Sequence, residues 1–245
     1  QTRNAALTYT GKIGNVDHRT TLIFRSNHGF DDSTFRGQPI AIKDDSESIS
    51  LTSKGLWTPS ASDNIEFQIG ASESDLWVGE EEYVNRDMSY QYQYVNWSHL
   101  SEQGDKVQLI VYHNDMYLDN EVKPQKISEI LGVSDTSPSW PLGPVPDTTI
   151  FDGSNHWESE RWDMELRTTL RPADNVRAVT GAAVRYDKVS SQVLFDTLDT
   201  LSETSYRAYS NIEWTQSEKL IFNGGVIVDD RDSTGTYASY RLAAN

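Results

Sequence analysis

The stretch RWDMELRTTLRPADN, Arg161 to Asn175, sorts its side chains by parity. Trp162, Met164, Leu166 and Leu170 fall on even positions; Arg161, Asp163, Glu165, Arg167 and Arg171 fall on odd ones. Alternate residues of a strand point to opposite faces, so the segment reads as a strand with one apolar and one ionic face. Two solvents fit that reading. The apolar face lines the dry middle of a soluble sandwich, or it meets lipid on the outside of a barrel.

The same period runs through the chain. Leu7, Tyr9 and Ile13 share a parity against Thr8, Thr10 and Lys12, and Thr20, Leu22 and Phe24 oppose Arg19, Thr21 and Arg25. Ile49, Leu51 and Trp57 oppose Ser48, Ser50, Thr52 and Lys54; Ile65, Phe67, Ile69 and Ala71 oppose Asn64, Glu66, Gln68 and Ser72. Tyr90, Tyr92 and Tyr94 oppose Gln91 and Gln93, and the change of phase at Val95 and Trp97 suggests a bulge. Val107, Leu109 and Val111 oppose Lys106 and Gln108, and Val176, Ala178, Ala182, Val184 and Tyr186 oppose Arg177, Arg185 and Asp187. Tyr206, Ala208, Ile212 and Trp214 oppose Arg207, Asn211 and Glu213. Leu220, Phe222, Val226 and Val228 oppose Asn223 and Asp229, and Ala238, Tyr240 and Leu242 oppose Ser239 and Arg241. The pattern predicts about eleven strands and no convincing helix.

Composition narrows the class. The 245 residues carry a net charge of -16, which repels phosphate backbones and argues against nucleic acid as a partner. There is no cysteine, so disulfides and thiolate metal sites are excluded. Mean hydropathy is -0.61, and no run approaches the roughly 18 apolar residues of a spanning helix, a test that membrane strands escape. The chain opens at Gln1 without a signal-peptide pattern and reads as a mature or excised segment.

The connections alternate in length. Short polar turns are expected at Gly14 to Asp17, Pro59 to Asp63, Glu102 to Asp105, Arg171 to Asn175 and Thr215 to Lys219. Longer loops are expected at Asn27 to Glu47, Gly79 to Asp87, Glu121 to Ser159, Ser190 to Ser205 and Asp230 to Thr236. Outer-membrane barrels share this asymmetry, with short periplasmic turns and long extracellular loops. The segments run roughly 9 to 13 residues, near the length of a tilted membrane strand. Aromatic residues gather at both ends: Trp57, Trp97, Trp214 and Phe222 beside short turns, and Phe24, Tyr117, Trp162, Tyr186, Tyr206 and Tyr237 toward the long loops. Two such belts match the girdles at the two membrane interfaces. These features favour lipid outside and a polar lumen inside.

At the level of phrasing, the sequence resembles the barrel portion of a TonB-dependent outer-membrane receptor. The resemblance rests on RTTLIFRSNHGFDD (Arg19 to Asp32), SLTSKGLWTPSASDNIEFQIGASESD (Ser50 to Asp75), YQYQYVNWSHLSEQGDKVQLIVYHNDMY (Tyr90 to Tyr117) and YSNIEWTQSEKLIFNGGVIVDDRDSTGTYASYRLAAN (Tyr209 to Asn245). It implies an antiparallel up-and-down transmembrane β-barrel of about 22 strands with a plugged lumen. Such receptors import scarce solutes such as ferric siderophores, haem or cobalamin, with energy passed from the inner membrane through TonB. No plug and no TonB box is visible, and an odd strand count does not suit an even-stranded barrel. The last strand also lacks the family's aromatic terminus. Residues 1–245 therefore read as about half a barrel, lacking the plug and the remaining strands. The expected partners are outer-membrane lipid, TonB through the absent plug, and an iron complex or similar small ligand; no cofactor is expected.

Candidate site residues are of two kinds. The long connection from Glu121 to Ser159 carries Trp140, Phe151, His156 and Trp157, suited to stacking on a ligand or to a small core of the loop's own. Arg161, Asp163, Glu165, Arg167, Arg177, Arg185 and Arg207 are expected to face the lumen. There the cations draw an anionic ligand, or pair with Asp163, Glu165 and Glu213 or with a plug. Carboxylates cluster at Gly79 to Asp87 and Asp229 to Gly235, but without a complete calcium-loop spacing. The five histidines have no metal-ligand spacing, and no nucleophile elbow supports an enzyme. Two alternatives stay open: a soluble β-sandwich that binds or hydrolyses carbohydrate, for which no acid pair stands out, and a passive porin-type barrel.

Overall fold

The computed structural model describes residues 2–29, 33–35, 38–40, 42–43, 45–77, 79–80, 84–122, 125–126, 150–151, 155–195 and 199–245. Eleven long strands form one antiparallel sheet in chain order. They are β1 (Thr2–Ile13), β2 (Val16–Asn27), β3 (Ser46–Trp57), β4 (Asp63–Trp77), β5 (Val84–Leu100) and β6 (Lys106–Val122). The others are β7 (Asn155–Ala173), β8 (Val176–Ser190), β9 (Leu201–Ser217), β10 (Leu220–Arg231) and β11 (Gly235–Ala244). Each strand pairs only with its sequence neighbours, the up-and-down meander expected from the alternating connections.

Turns at Gly14–Asn15, Asp174–Asn175 and Glu218–Lys219 close one end of the sheet, with slightly longer links over 58–62 and 101–105. The opposite end carries the long connections, where short strands pair Ser33–Phe35 with Gln38–Ile40, Ile42–Lys43 with Gly79–Glu80, and Gln125–Lys126 with Ile150–Phe151. One expectation fails at this end. Asp230 to Thr236 is no long loop: β10 and β11 run on until a three-residue turn at 232–234 joins them. The link from β8 to β9 holds a single helical turn, α1 (Gln192–Phe195). No helix among the described residues is long and apolar enough to cross a membrane.

Six of the eleven strands, β4 to β9, outrun the expected 9 to 13 residues, while β1 to β3, β10 and β11 keep within them. β7 has 19 residues, about 60 Å of extended chain, twice what a tilted strand needs to cross a bilayer. On the outer face its apolar side chains occupy only Trp162 to Leu170. Beyond Trp162 the same face continues as Glu160, Glu158 and His156, so β7 rises past the apolar band toward the long loops.

Exposure decides which face meets which solvent. Among the described residues no hydrophobic side chain is buried. Trp162, Met164, Leu166 and Leu170 are exposed, while Asp163, Glu165 and Arg167 on the other face are half-buried. Packed sheets show the reverse, with apolar side chains hidden and charges in the open. A curved sheet whose polar face is concave accounts for it, because side chains converge inside and splay outside. The sheet is an all-β barrel wall with its apolar side outward.

One strand contradicts the sequence reading. The register of β5 with β4 and with β6 runs unbroken from Asn85 to His99, so there is no bulge at Val95 and Trp97. Those two residues lie in phase with Gln91 and Gln93, and Trp97 stands opposite Ile65 and Leu109 on the outer face. Tyr90, Tyr92 and Tyr94 therefore point to the polar, concave side. Register irregularities occur instead at Leu170/Ala173 and Thr215/Ser217, beside short turns.

Candidate functional site

The concave face is the candidate site, and its two halves differ. From β7 to β10 it is an ionic ladder. Arg161 Nε donates to Asp187 Oδ1 at 2.5 Å, Arg185 Nε to Asp163 Oδ2 at 2.8 Å, and Arg207 Nε to Asp229 Oδ1 at 3.0 Å. Each joins residues directly opposite one another on neighbouring strands. Arg167 bonds within its own strand, its Nη2 2.7 Å from Glu165 Oε1, and Arg177 stands opposite Glu213.

Tyr209 joins three strands of the ladder. Its hydroxyl donates to Glu165 Oε1 at 2.5 Å and accepts from Arg167 Nε at 3.0 Å, two strands away. Gly181 on the intervening β8 makes this reach possible. A Cβ there would lie 2.6 Å from the Tyr209 ring and 2.9 Å from the Leu166 carbonyl oxygen. Only a residue without a side chain lets the ring cross.

Along the middle of β4 to β6 the concave face is neutral and aromatic, with Glu66, Arg86 and Lys106 toward the strand ends. The hydroxyls of Tyr90 and Tyr112 lie 3.1 Å apart, and the Tyr90 and Tyr92 rings are 5.9 Å apart. Tyr92 lies flat over Gly70, directly opposite it on β4, where a Cβ would come within 2.2 Å of the ring. Sequence reasoning missed this tyrosine wall because Tyr alternating with Gln looks like an apolar face. The phase of Val95 and Trp97 was the signal that could have found it.

The loop candidates do not converge. Trp140 lies outside the described residues, and for Phe151 only the backbone is described, opposite Gln125. His156 and Trp157 are adjacent on β7 and so point to opposite faces. His156 Nδ1 sits 2.8 Å from Asp119 Oδ1 on the outer side. Trp157 is on the concave side at the long-loop end, and its Nε1–H has no acceptor among the described residues. Nearby, the Glu160 carboxyl stands above the apolar band. The hydrogen bond donated by Trp162 Nε1, seconded by His113, holds it below the ordinary carboxylate range. No group of three His, Asp or Glu among the described residues could hold a metal ion.

Charge is sorted across the wall. The register puts Lys12, Arg19, Arg25, Lys54, Arg86, Lys106, Arg161, Arg167, Arg177, Arg185, Arg207, Arg231 and Arg241 on the concave face. Fewer carboxylates accompany them: Asp17, Glu66, Asp163, Glu165, Asp187, Glu203, Glu213 and Asp229. The outer face holds Glu47, Glu73, Asp75, Asp115, Glu158 and Glu160 above the apolar band, against Arg3 and Lys188. A chain of net charge -16 thus turns a net positive face inward.

This geometry defines a class: a segment of up-and-down β-barrel wall, with the fold of the barrel portion of TonB-dependent receptors. Among similar solved structures, the siderophore receptor PirA from Pseudomonas aeruginosa superposes with a TM-score of 0.66 at 12% identity, covering 99% of this chain and 36% of its own. The outer membrane transporter YddB from Escherichia coli gives 0.64 at 11%, covering 99% and 36%. The copper transporter OprC gives 0.61 at 15%, covering 100% and 41%. The chain therefore spans less than half the length of the structures it resembles. They are receptors and transporters, not enzymes. No family model and no curated protein sequence matches the chain.

Proposed function

We propose that this chain is part of the wall of a bacterial outer-membrane receptor that imports a scarce solute, a ferric siderophore or other iron complex, using energy delivered by TonB. The observation that carries the reading is the inverted sheet: a lipid-facing apolar band outside and a polar, net positive face inside. That inner sign suits an anionic iron complex, and siderophore receptors are among the structures of like fold. Further strands pairing with the free edges of β1 and β11 complete the barrel, because unpaired backbone is costly in lipid; the plug that fills its lumen is what the likeness to TonB-dependent receptors adds. Trp157, at the lumen mouth, is the loop candidate best placed to meet a ligand; Trp140, Phe151 and His156 remain candidates by sequence.

The experiment has two arms. The protein, expressed with its native flanks, should fractionate with the outer membrane and migrate heat-modifiably. Deleting its gene should slow growth under iron limitation with one siderophore as iron source, and leave growth on plentiful iron unchanged. A monodisperse soluble protein defeats the membrane reading; a deletion strain indifferent to every iron complex but defective on copper defeats the iron reading alone.

A further inference from the structure

In the ladder of β7 to β10 each of four arginines faces a carboxylate: Arg161 faces Asp187, Arg185 faces Asp163, Arg177 faces Glu213, and Arg207 faces Asp229. Near the short-turn end of β2 and β3 two cations meet instead. Arg19 stands directly opposite Lys54 on the same concave face. The residues that continue this row are uncharged, Thr10 on β1 and Gln68 on β4. Like charges in directly opposed positions destabilise a sheet; the acidic pair of Asp187 and Glu203 has Arg161 beside it in its row, whereas neither neighbour of Arg19 and Lys54 in theirs is a carboxylate.

Both side chains are exposed and line a concavity of about 570 Å³ together with Lys12, Asp17 and Glu66. The two carboxylates there are engaged with neighbours: Asp17 with Lys12 at 3.5 Å, and Glu66 as acceptor from Gln68 Nε2 at 2.9 Å. The concavity keeps a surplus of positive charge, with two cations aimed at one volume.

We propose that Arg19 and Lys54 hold an oxyanion, a carboxylate or phosphate group, at the turn end of the lumen wall. Guanidinium supplies a planar pair of donors and ammonium a point charge, a combination that suits two oxygens of one anionic group. The anion belongs to a small solute or to an acidic segment of the protein lying in the lumen. This site depends on the face assignment and not on which solute is imported, so it can fail while the receptor reading stands.

The full chain in detergent micelles is titrated calorimetrically with inorganic phosphate and, separately, with a hexa-aspartate peptide. Saturable binding of either probe is expected, weakened roughly tenfold by Arg19→Gln or Lys54→Gln, the loss of one charge-assisted contact. Arg185→Gln removes a cation already neutralised by Asp163 and should change binding less than twofold. Lys54→Glu should abolish binding while raising the melting temperature, since it restores an opposite-sign pair with Arg19 and leaves the fold intact. Phosphate binding without peptide binding points to a solute, and preference for the peptide points to an acidic segment. No saturable binding of either probe, or an equal loss in Arg185→Gln, overturns the site.

Discussion

Leu166 sits at the centre of the apolar stripe of β7, and its substitution by arginine measures directly what that face touches. From Trp162 to Leu170 the stripe runs about 26 Å along the strand, or roughly 20 Å of height at a tilt near 40°. Leu166 is four residues from each end, so it lies near the midplane of any bilayer the stripe fits. An arginine there costs about 2–4 kcal/mol, whereas at the interface it costs about 0–1 kcal/mol. Leu170→Arg, at the lower edge, is therefore the matched control. The two positions are alike in water: Leu166 is 48% exposed and Leu170 37%, and open surface substitutions change stability by at most about 0.5 kcal/mol. Denaturant unfolding of the vesicle-embedded protein reads the difference. The wall reading requires Leu166→Arg to cost at least about 1 kcal/mol more than Leu170→Arg. Equal, small costs at both positions would refute it and put the face in water.

Three further perturbations probe the interior. Gly181→Ala should cost about 1–3 kcal/mol by driving the Tyr209 ring off β8. Part of that loss should vanish in a Tyr209→Ala background, as a double-mutant cycle in denaturant can read. For the pair of Asp163 and Arg185, both partly exposed, a cycle with Asp163→Asn and Arg185→Gln should give only about 0.2–1 kcal/mol of coupling, falling with salt. Trp214→Ala removes the partner of the stacked Phe222 ring, 5.5 Å away in the belt beside the short turns. It should cost about 0.5–1.5 kcal/mol beyond the buried area, and tryptophan emission should lose a component that lipid-borne quenchers reach.

The fold was legible because a period of two survives wherever one face meets lipid and the other water. Segments such as Trp162 to Leu170 carry that contrast without ambiguity. β5 carries it poorly. Tyrosine is apolar by its ring and polar by its hydroxyl, so three tyrosines alternating with glutamine fit either face, and the pairing with Ile65 and Leu109 decided the phase. The length of β10 and β11 was hidden for a related reason. Asp229, Asp230 and Arg231 resemble loop residues, yet above a membrane a strand continues in water with charges on both faces. Cross-strand chemistry was the least legible. That Arg185 meets Asp163 while Arg19 meets Lys54 depends on register, which a single sequence does not contain.

The soluble sandwich fails on topology as well as exposure. A sandwich hides its apolar faces by setting a second sheet against the first, yet all eleven long strands here belong to one sheet, in chain order. The described residues leave only two- and three-residue strands at the loop end, too few to cover a face that includes Leu22, Leu51, Ile69, Trp162, Leu166, Ile212 and Val226. An uncovered stripe of that extent far exceeds the few hundred Å² that a soluble monomer tolerates. The charges agree independently. Glu47, Glu73, Asp115 and Glu160, on four different strands, share the outer face with the apolar residues but begin where the stripe stops, on the long-loop side. A sandwich gives no reason for one face to change from apolar to acidic at a common height across neighbouring strands, whereas the edge of a bilayer imposes that change on every strand that crosses it.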